Sequence, residues 1–114
     1  MTAQQIIQAV CDKYHLDYNE VVQKHRRSSK RDLTRPRYMA IHIIRMAKAY
    51  KTLDQLGKLF RFSHANIIHS AKVHESYMLS DKQYRADYKE LWQIVNSIDD
   101  LNYTNIYTKE VDHA

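Results

Sequence analysis

The side chains that could do chemistry are concentrated in residues 52–74, TLDQLGKLFRFSHANIIHSAKVH. Three histidines in this stretch, His64, His69 and His74, are five residues apart. On a helix that spacing rotates successive imidazoles by about 140°, so they do not converge on one metal ion. Because the chain also has one cysteine and no His-Glu-x-x-His motif, we expect no metal site and no enzyme. The stretch instead offers hydrogen-bonding groups for recognition.

Two short helices joined by a tight turn are predicted for this stretch. In the first helix, Leu53, Leu56 and Phe60 make one apolar stripe at three- and four-residue spacing. Thr52 is a good N-cap for that helix. Gly57 has no Cβ and lets another backbone approach closely where the two helices cross.

The second helix begins after a good N-cap, Ser63, and we expect Ile67, Ile68 and Ala71 to pack against the first helix. Four polar residues then point elsewhere: His64, Asn66, His69 and Lys72. In a helix-turn-helix such groups lie where the recognition helix meets base edges in a major groove. An ordinary helical hairpin in an all-α core fits the same pattern, so charge has to decide between the two.

Positive charge favours nucleic acid, because it is confined to the middle of the chain. The net charge is +5, but residues 24–72 hold thirteen Lys or Arg against two Asp, a balance of +11. Residues 1–23 sum to −2 and residues 73–114 to −4. Solvated Lys and Arg would be interspersed with acidic residues, which residues 24–37 do not show. A basic centre between acidic ends is typical of a nucleic-acid surface on one side of a small domain.

Composition predicts the fold class. The chain has 114 residues with one glycine and one proline, and good helix formers fill its long segments. We therefore expect an all-α compact domain of five to six helices containing the helix-turn-helix, in residues 1–98, and a loose tail in residues 99–114. Cys11 belongs to an apolar stripe, which indicates core packing in a reducing compartment. Since there is no membrane-length apolar run and no cleavable leader, we expect a soluble, cytoplasmic, nucleoid-associated protein.

The remaining helices are predicted from caps and apolar stripes. Thr2 caps a first helix that runs to about Tyr14, Asp17 caps a short second one, Thr34 caps a third, and Ser80 and Asp81 signal the start of the last. One face of the last helix is predicted to pack in the core rather than to stack on bases: Tyr84, Tyr88, Leu91, Trp92 and Val95.

Six basic residues lie at or just before the start of the third helix. Four belong to the polar segment 24–34, which is too charged to bury and is predicted to be a loop or a fraying helix end. These four are Arg26, Arg27, Lys30 and Arg31. The other two, Arg35 and Arg37, flank a helix N-terminus, where the helix dipole disfavours cations. We therefore expect all six to reach outward to a phosphate or a groove.

Three segments, HRRSSKRDLTRPRYMAI at 25–41, TLDQLGKLF at 52–60 and SHANIIHSAKV at 63–73, give the chain a family resemblance. From about residue 6 to residue 98 it resembles the C-terminal DNA-binding domain of the bacterial replication initiator DnaA. The resemblance implies an all-helical domain that binds short asymmetric duplex boxes as a monomer. It also implies that Arg35 enters the minor groove, that His64 is the signature histidine of the recognition helix, and that His69 faces the DNA backbone.

The turn before the recognition helix departs from that family. The family signature is Gly-Gly-Arg-Asp followed by His-Thr-Thr, whereas this chain has Arg-Phe-Ser at 61–63 followed by His-Ala-Asn at 64–66. The shorter turn puts Arg61 where glycine usually takes a left-handed conformation. Ser63, which can donate or accept, replaces an aspartate that could accept from a cytosine amino group, and Asn66 matches adenine. We therefore expect a retained scaffold with an altered base preference.

Sequence-dependent binding to double-stranded DNA is the predicted function, linked to replication-origin recognition or its regulation. The predicted interface comprises Arg26, Arg27, Lys30, Arg31, Arg35, Arg37, Lys51, Ser63, His64, Ala65, Asn66, His69 and Lys72. We expect no cofactor, no membrane partner and no nucleotide, because one glycine cannot supply a phosphate-binding loop. A monomer is expected on DNA, although a dimer stays open. The alternatives are a transcriptional regulator of phage or mobile-element type and a protein–protein interaction module.

Overall fold

The computed structural model describes residues 1–22 and 33–106, and for residues 97–106 it describes the helical backbone alone. These residues form six helices and no strand, as the all-α prediction requires. The helices are α1 (Ala3–Tyr14), α2 (Tyr18–Val22), α3 (Thr34–Met46), α4 (Leu53–Phe60), α5 (His64–Ser80) and α6 (Lys82–Ile106). The predicted phosphate contacts Arg26, Arg27, Lys30 and Arg31 lie outside the described residues.

Helix α3 is the centre of the core. It packs against α1 and α5 and also touches α2 and α6. Its apolar residues Met39, Ile43 and Ile44 are completely buried, since they are enclosed from both sides. Cys11 of α1 is buried in the same core, as predicted, and burial raises the pKa of its thiol to about 11. The thiol is therefore unreactive and serves packing.

Most predicted helix starts are confirmed by their hydrogen bonds. The Thr2 hydroxyl accepts from the Gln5 amide at 3.1 Å, and the Thr52 hydroxyl does the same for α4. Asp81 caps α6 by accepting from the Tyr84 amide at 3.0 Å. Thr34 is an exception, because it is the first residue of α3 while Leu33 takes the cap position without a side-chain cap bond.

Three helices are followed, within two residues, by a left-handed residue that is not glycine. His15, Lys48 and Arg61 have φ values of 56°, 56° and 57°. In each case the next amide bonds to a carbonyl five residues back, which closes the helix end. For residues with a Cβ this conformation costs about 1–2 kcal/mol. The capping hydrogen bonds hold the chain in it.

The end of the chain differs from the prediction. Helix α6 continues without a break through Ile106, whereas the sequence predicts a loose tail from residue 99. The predicted aromatic face of α6 does pack in the core: Tyr84, Leu91 and Val95 are buried and Tyr88 and Trp92 are partly buried. The expected domain boundary at residue 98 therefore falls inside a helix, and it stays a prediction.

Candidate nucleic-acid interface

The turn between α4 and α5 is built around the one glycine of the chain. The Phe62 amide donates to the Gly57 carbonyl at 2.9 Å, and Arg61 takes the left-handed conformation (φ 57°, ψ 37°) that the sequence predicts for it. A Cβ on Gly57 would lie 2.6 Å from the Phe62 carbonyl oxygen. No side chain fits in that space, so Gly57 allows the close approach that sets the two helices at this angle.

The start of α5 is fixed by its cap. The Ser63 hydroxyl accepts from the Asn66 amide at 3.1 Å, so Ser63 ends the turn and orients the first turn of the helix. One face of α5 is then buried against the rest of the domain: Ile67, Ser70 and His74. The residues of α5 that are predicted to contact DNA are all exposed: His64, Ala65, Asn66, His69 and Lys72.

Two residues of α5 do not pack as predicted. Ile68 and Ala71 are exposed, and Ile68 has a relative exposure of 50%. For Ile68 the reason is helical geometry, because adjacent residues are rotated by about 100° and only one of two neighbouring isoleucines can face the core. The adjacent Ile67 and Ile68 in the sequence already indicated that one of them would be exposed. Ile68 thus joins the outward face between Ala65 and Lys72, where an apolar side chain can contact a thymine methyl group.

His64, the first residue of α5, is paired with the first turn of α4. Its Nδ1 atom lies 3.1 Å from Oδ1 of Asp54. The side chains are 55% and 76% exposed, respectively, so the pair lies on the surface at the end of α5 that is predicted to meet DNA. No sequence pattern indicated a role for Asp54 in binding.

Arg35 lies against the other end of the same helix. Its Nε donates to Oδ2 of Asp81 at 2.6 Å, and its guanidinium carbon is 4.8 Å from the centre of the Tyr77 ring. The Arg35 side chain is 44% exposed. The pKa of Asp81 is lowered, mainly by the Tyr84 amide that it caps and then by Arg35. Arg35 is therefore on the surface, with its charge held between α5 and α6.

Arg37 is not a surface cation, and its predicted contact with phosphate is wrong. It is 9% exposed, and it donates from Nε to the Val21 carbonyl at 2.6 Å and from Nη2 to the Glu20 carbonyl at 2.9 Å. Burial lowers the pKa of the guanidinium from its ordinary value. Those two carbonyls belong to the end of α2, where a helix lacks backbone donors. Arg37 therefore ties α2 to α3.

Lys51 and Lys72 are both exposed, as a phosphate contact requires. Lys51 lies two residues before the start of α4, and Lys72 is in the middle of α5.

The family described as bacterial DnaA protein helix-turn-helix has a sequence model that matches residues 3–73. The chain belongs to that family. It therefore carries a DNA-binding helix-turn-helix, and the family is one of DNA-binding rather than catalytic domains. A comparison with curated proteins finds no significant match. In the described parts of the chain, no helix has both the length and the apolarity needed to cross a membrane.

The DnaA-family match ends at Val73, within α5. Beyond it, the second half of α5 and the helix α6 supply residues that hold the recognition helix in place. The His74 Nδ1 atom lies 2.6 Å from the Tyr84 hydroxyl, and the His42 and His74 rings stack with their centres 3.6 Å apart. Burial, with His42 second, lowers the pKa of His74 to about 4. The pair is therefore neutral at neutral pH and acts as core.

Proposed function

We propose that this chain binds double-stranded DNA in a sequence-dependent manner, as a monomer, with the first turns of α5 in the major groove and Arg35 in the adjacent minor groove. The observation that carries the proposal is the exposed face of α5. It presents hydrogen-bonding side chains on a helix whose other face is locked in the core. Rigid presentation suits base readout, because base-edge contacts depend on position to within fractions of an ångström.

The environment of Arg35 supports the minor-groove contact. Its guanidinium is positioned at the surface by a carboxylate and an aromatic ring. Because this side chain is half-exposed, it can exchange Asp81 for the negative potential of a narrow minor groove without unfolding a helix. The exchange replaces one ion pair with another, so its net cost is small.

The proposed phosphate contacts are six basic residues of the central segment, two of which lie in the described part of the chain. Lys51 and Lys72 are exposed in the structure. The other members are Arg26, Arg27, Lys30 and Arg31, whose positions lie outside the described residues. If about five phosphates are neutralised, log affinity falls with log salt with a slope of about −4 to −5. A flat salt response would contradict the electrostatic part of the proposal.

Selection of bound duplexes from a random pool, followed by affinity measurements on variants, tests the proposal. Arg35→Ala and His64→Ala should each cost about 1–3 kcal/mol on the selected site and less on random DNA. Lys89→Ala, which removes an exposed cation of α6, is the matched control and should change little. Equal losses on selected and random DNA would show that Arg35 and His64 only position the protein. A stable dimer that retards no DNA at low salt would favour an interaction module instead.

We assign the binding to replication-origin recognition or its regulation, because the matched family is that of the bacterial DnaA protein. The turn at 61–63 is shorter than the family signature, so the selected site should differ from the initiator box at the positions that contact the start of α5. A selected site with no relation to the box would favour a transcriptional regulator of phage or mobile-element type.

A further inference from the structure

The Asp54–His64 pair has a chemical consequence for the free side of the imidazole ring. The two residues are ten positions apart, in the first turn of α4 and at the first position of α5. Their Nδ1 and Oδ1 atoms are 3.1 Å apart, within hydrogen-bond distance. The turn at 61–63 brings them together, because it reverses the chain between the two helices.

An ionised carboxylate only accepts hydrogen bonds. The nitrogen that faces Asp54 must therefore carry the hydrogen, and the other nitrogen of a neutral imidazole, Nε2, is then a bare acceptor. Without Asp54 the hydrogen could reside on either nitrogen, and Nε2 could donate instead. The charge of Asp54 thus decides which kind of hydrogen bond His64 offers to a partner on its exposed side.

We infer that Asp54 is a specificity-determining residue, which sets the tautomer of His64 and so makes it select a base that carries an amino group. This inference rests on the proposed binding of double-stranded DNA with the start of α5 in the major groove. There, adenine N6 and cytosine N4 offer amino donors, whereas guanine and thymine offer acceptors. An acceptor at Nε2 can form a hydrogen bond with adenine or cytosine. At guanine or thymine it would face another acceptor and form none.

Asp54 has one alternative role that the test must separate. A carboxylate in the first turn of a helix interacts favourably with the helix dipole, and Asp54 occupies such a position in α4. That role concerns stability alone. It predicts no change in the protonation pattern of His64 and no change in base preference when Asp54 is replaced.

The test compares wild type with Asp54→Ala, using Glu75→Ala as the control that removes the same charge from an exposed position of α5. The first readout needs no DNA. Nitrogen NMR of the free protein, at a pH at which the ring is neutral, identifies which His64 nitrogen carries hydrogen, and His64→Gln assigns the signal. The second readout is duplex selection from a random pool with each protein.

We expect Nδ1 to carry the hydrogen in wild type and in Glu75→Ala, and the population to shift toward Nε2 in Asp54→Ala. We also expect wild type to prefer adenine or cytosine at one position by about threefold to tenfold, as one net hydrogen bond allows. Asp54→Ala should lose that preference at that position alone. Because the variant also loses a negative charge near DNA, its affinity for random duplex should rise.

Two results would overturn the inference while leaving the proposed function intact. One is an unchanged His64 tautomer in Asp54→Ala, and the other is the same selected base at every position with both proteins. A wild-type protein that retards no duplex at low salt would overturn the proposed function and this inference together.

Discussion

Acidification should destabilise this domain through the stacked histidine pair beneath the recognition helix. The rings of His42 and His74 have centres 3.6 Å apart, and the rings of Tyr84 and Tyr88 lie 5.4 Å and 4.9 Å from that of His74. A proton on either ring would place a charge in this aromatic environment, with Arg45 as a further positive neighbour of His42. The folded state therefore resists protonation of the pair.

The magnitude follows from the pKa of His74, which is lowered from 6.5 to about 4. In the unfolded chain the ring takes up a proton near its ordinary pKa, so below that pH the unfolded state binds more protons than the folded state. Stability is complete above the unfolded pKa and is lost as the pH falls toward the folded pKa. At about 1.4 kcal/mol per pH unit, the loss from His74 is about 3 kcal/mol. The pKa of His42 is also lowered, so its contribution has the same sign.

Urea unfolding at a series of pH values from about 7 to 4.5 measures this loss. His74→Gln should be less stable than wild type at neutral pH, because it disturbs the stacked rings, yet its stability should vary less with pH. His69→Gln replaces an exposed histidine of the same helix and should follow the wild-type slope. The reasoning is refuted if wild-type stability is flat over this range, or if His74→Gln retains the full slope.

Three further predictions concern backbone and packing. Arg37→Lys should lower the free energy of unfolding by about 1–3 kcal/mol, because lysine cannot reach both α2 carbonyls, and should leave the salt slope of DNA binding unchanged. A reduced slope would return Arg37 to the interface. Gly57→Ala should cost about 1–3 kcal/mol in a thermal melt, since its Cβ would meet the Phe62 carbonyl oxygen at 2.6 Å. Arg61→Gly should instead raise stability by about 0.5–1 kcal/mol, because it relieves a left-handed residue with a Cβ, and an unchanged melting temperature would contradict this.

Local signals made most of the fold predictable. Caps such as Thr2, Thr52 and Ser63 mark helix starts through bonds that span three residues, so they are readable from sequence. The apolar periods of α4 and α6 likewise identified buried faces such as that of Tyr84 and Leu91. These features depend on near neighbours in the chain, which a sequence displays directly.

Features set by tertiary packing were not predictable in the same way. Arg37 has the residue type of a DNA contact, but because α2 packs against α3 its side chain is buried and donates to a carbonyl of α2. The pairing of Asp54 with His64 exists only because the turn folds one helix start onto the other. The end of α6 was missed because residues 99–106 show no apolar period, although they continue a helix already nucleated by its packed half.

The anchoring of Arg37 also bears on how this domain could change over time. Its guanidinium fastens the last residues of α2 to the first turn of α3, so the two ends of segment 23–32 are secured by a contact outside that segment. A chain segment that joins two fixed ends can change in length at a small entropic cost. Relatives could exchange this segment, and with it the phosphate contacts that we propose for it, while inheriting the same scaffold. For the same reason, segment 23–32 is a suitable place to introduce new binding residues.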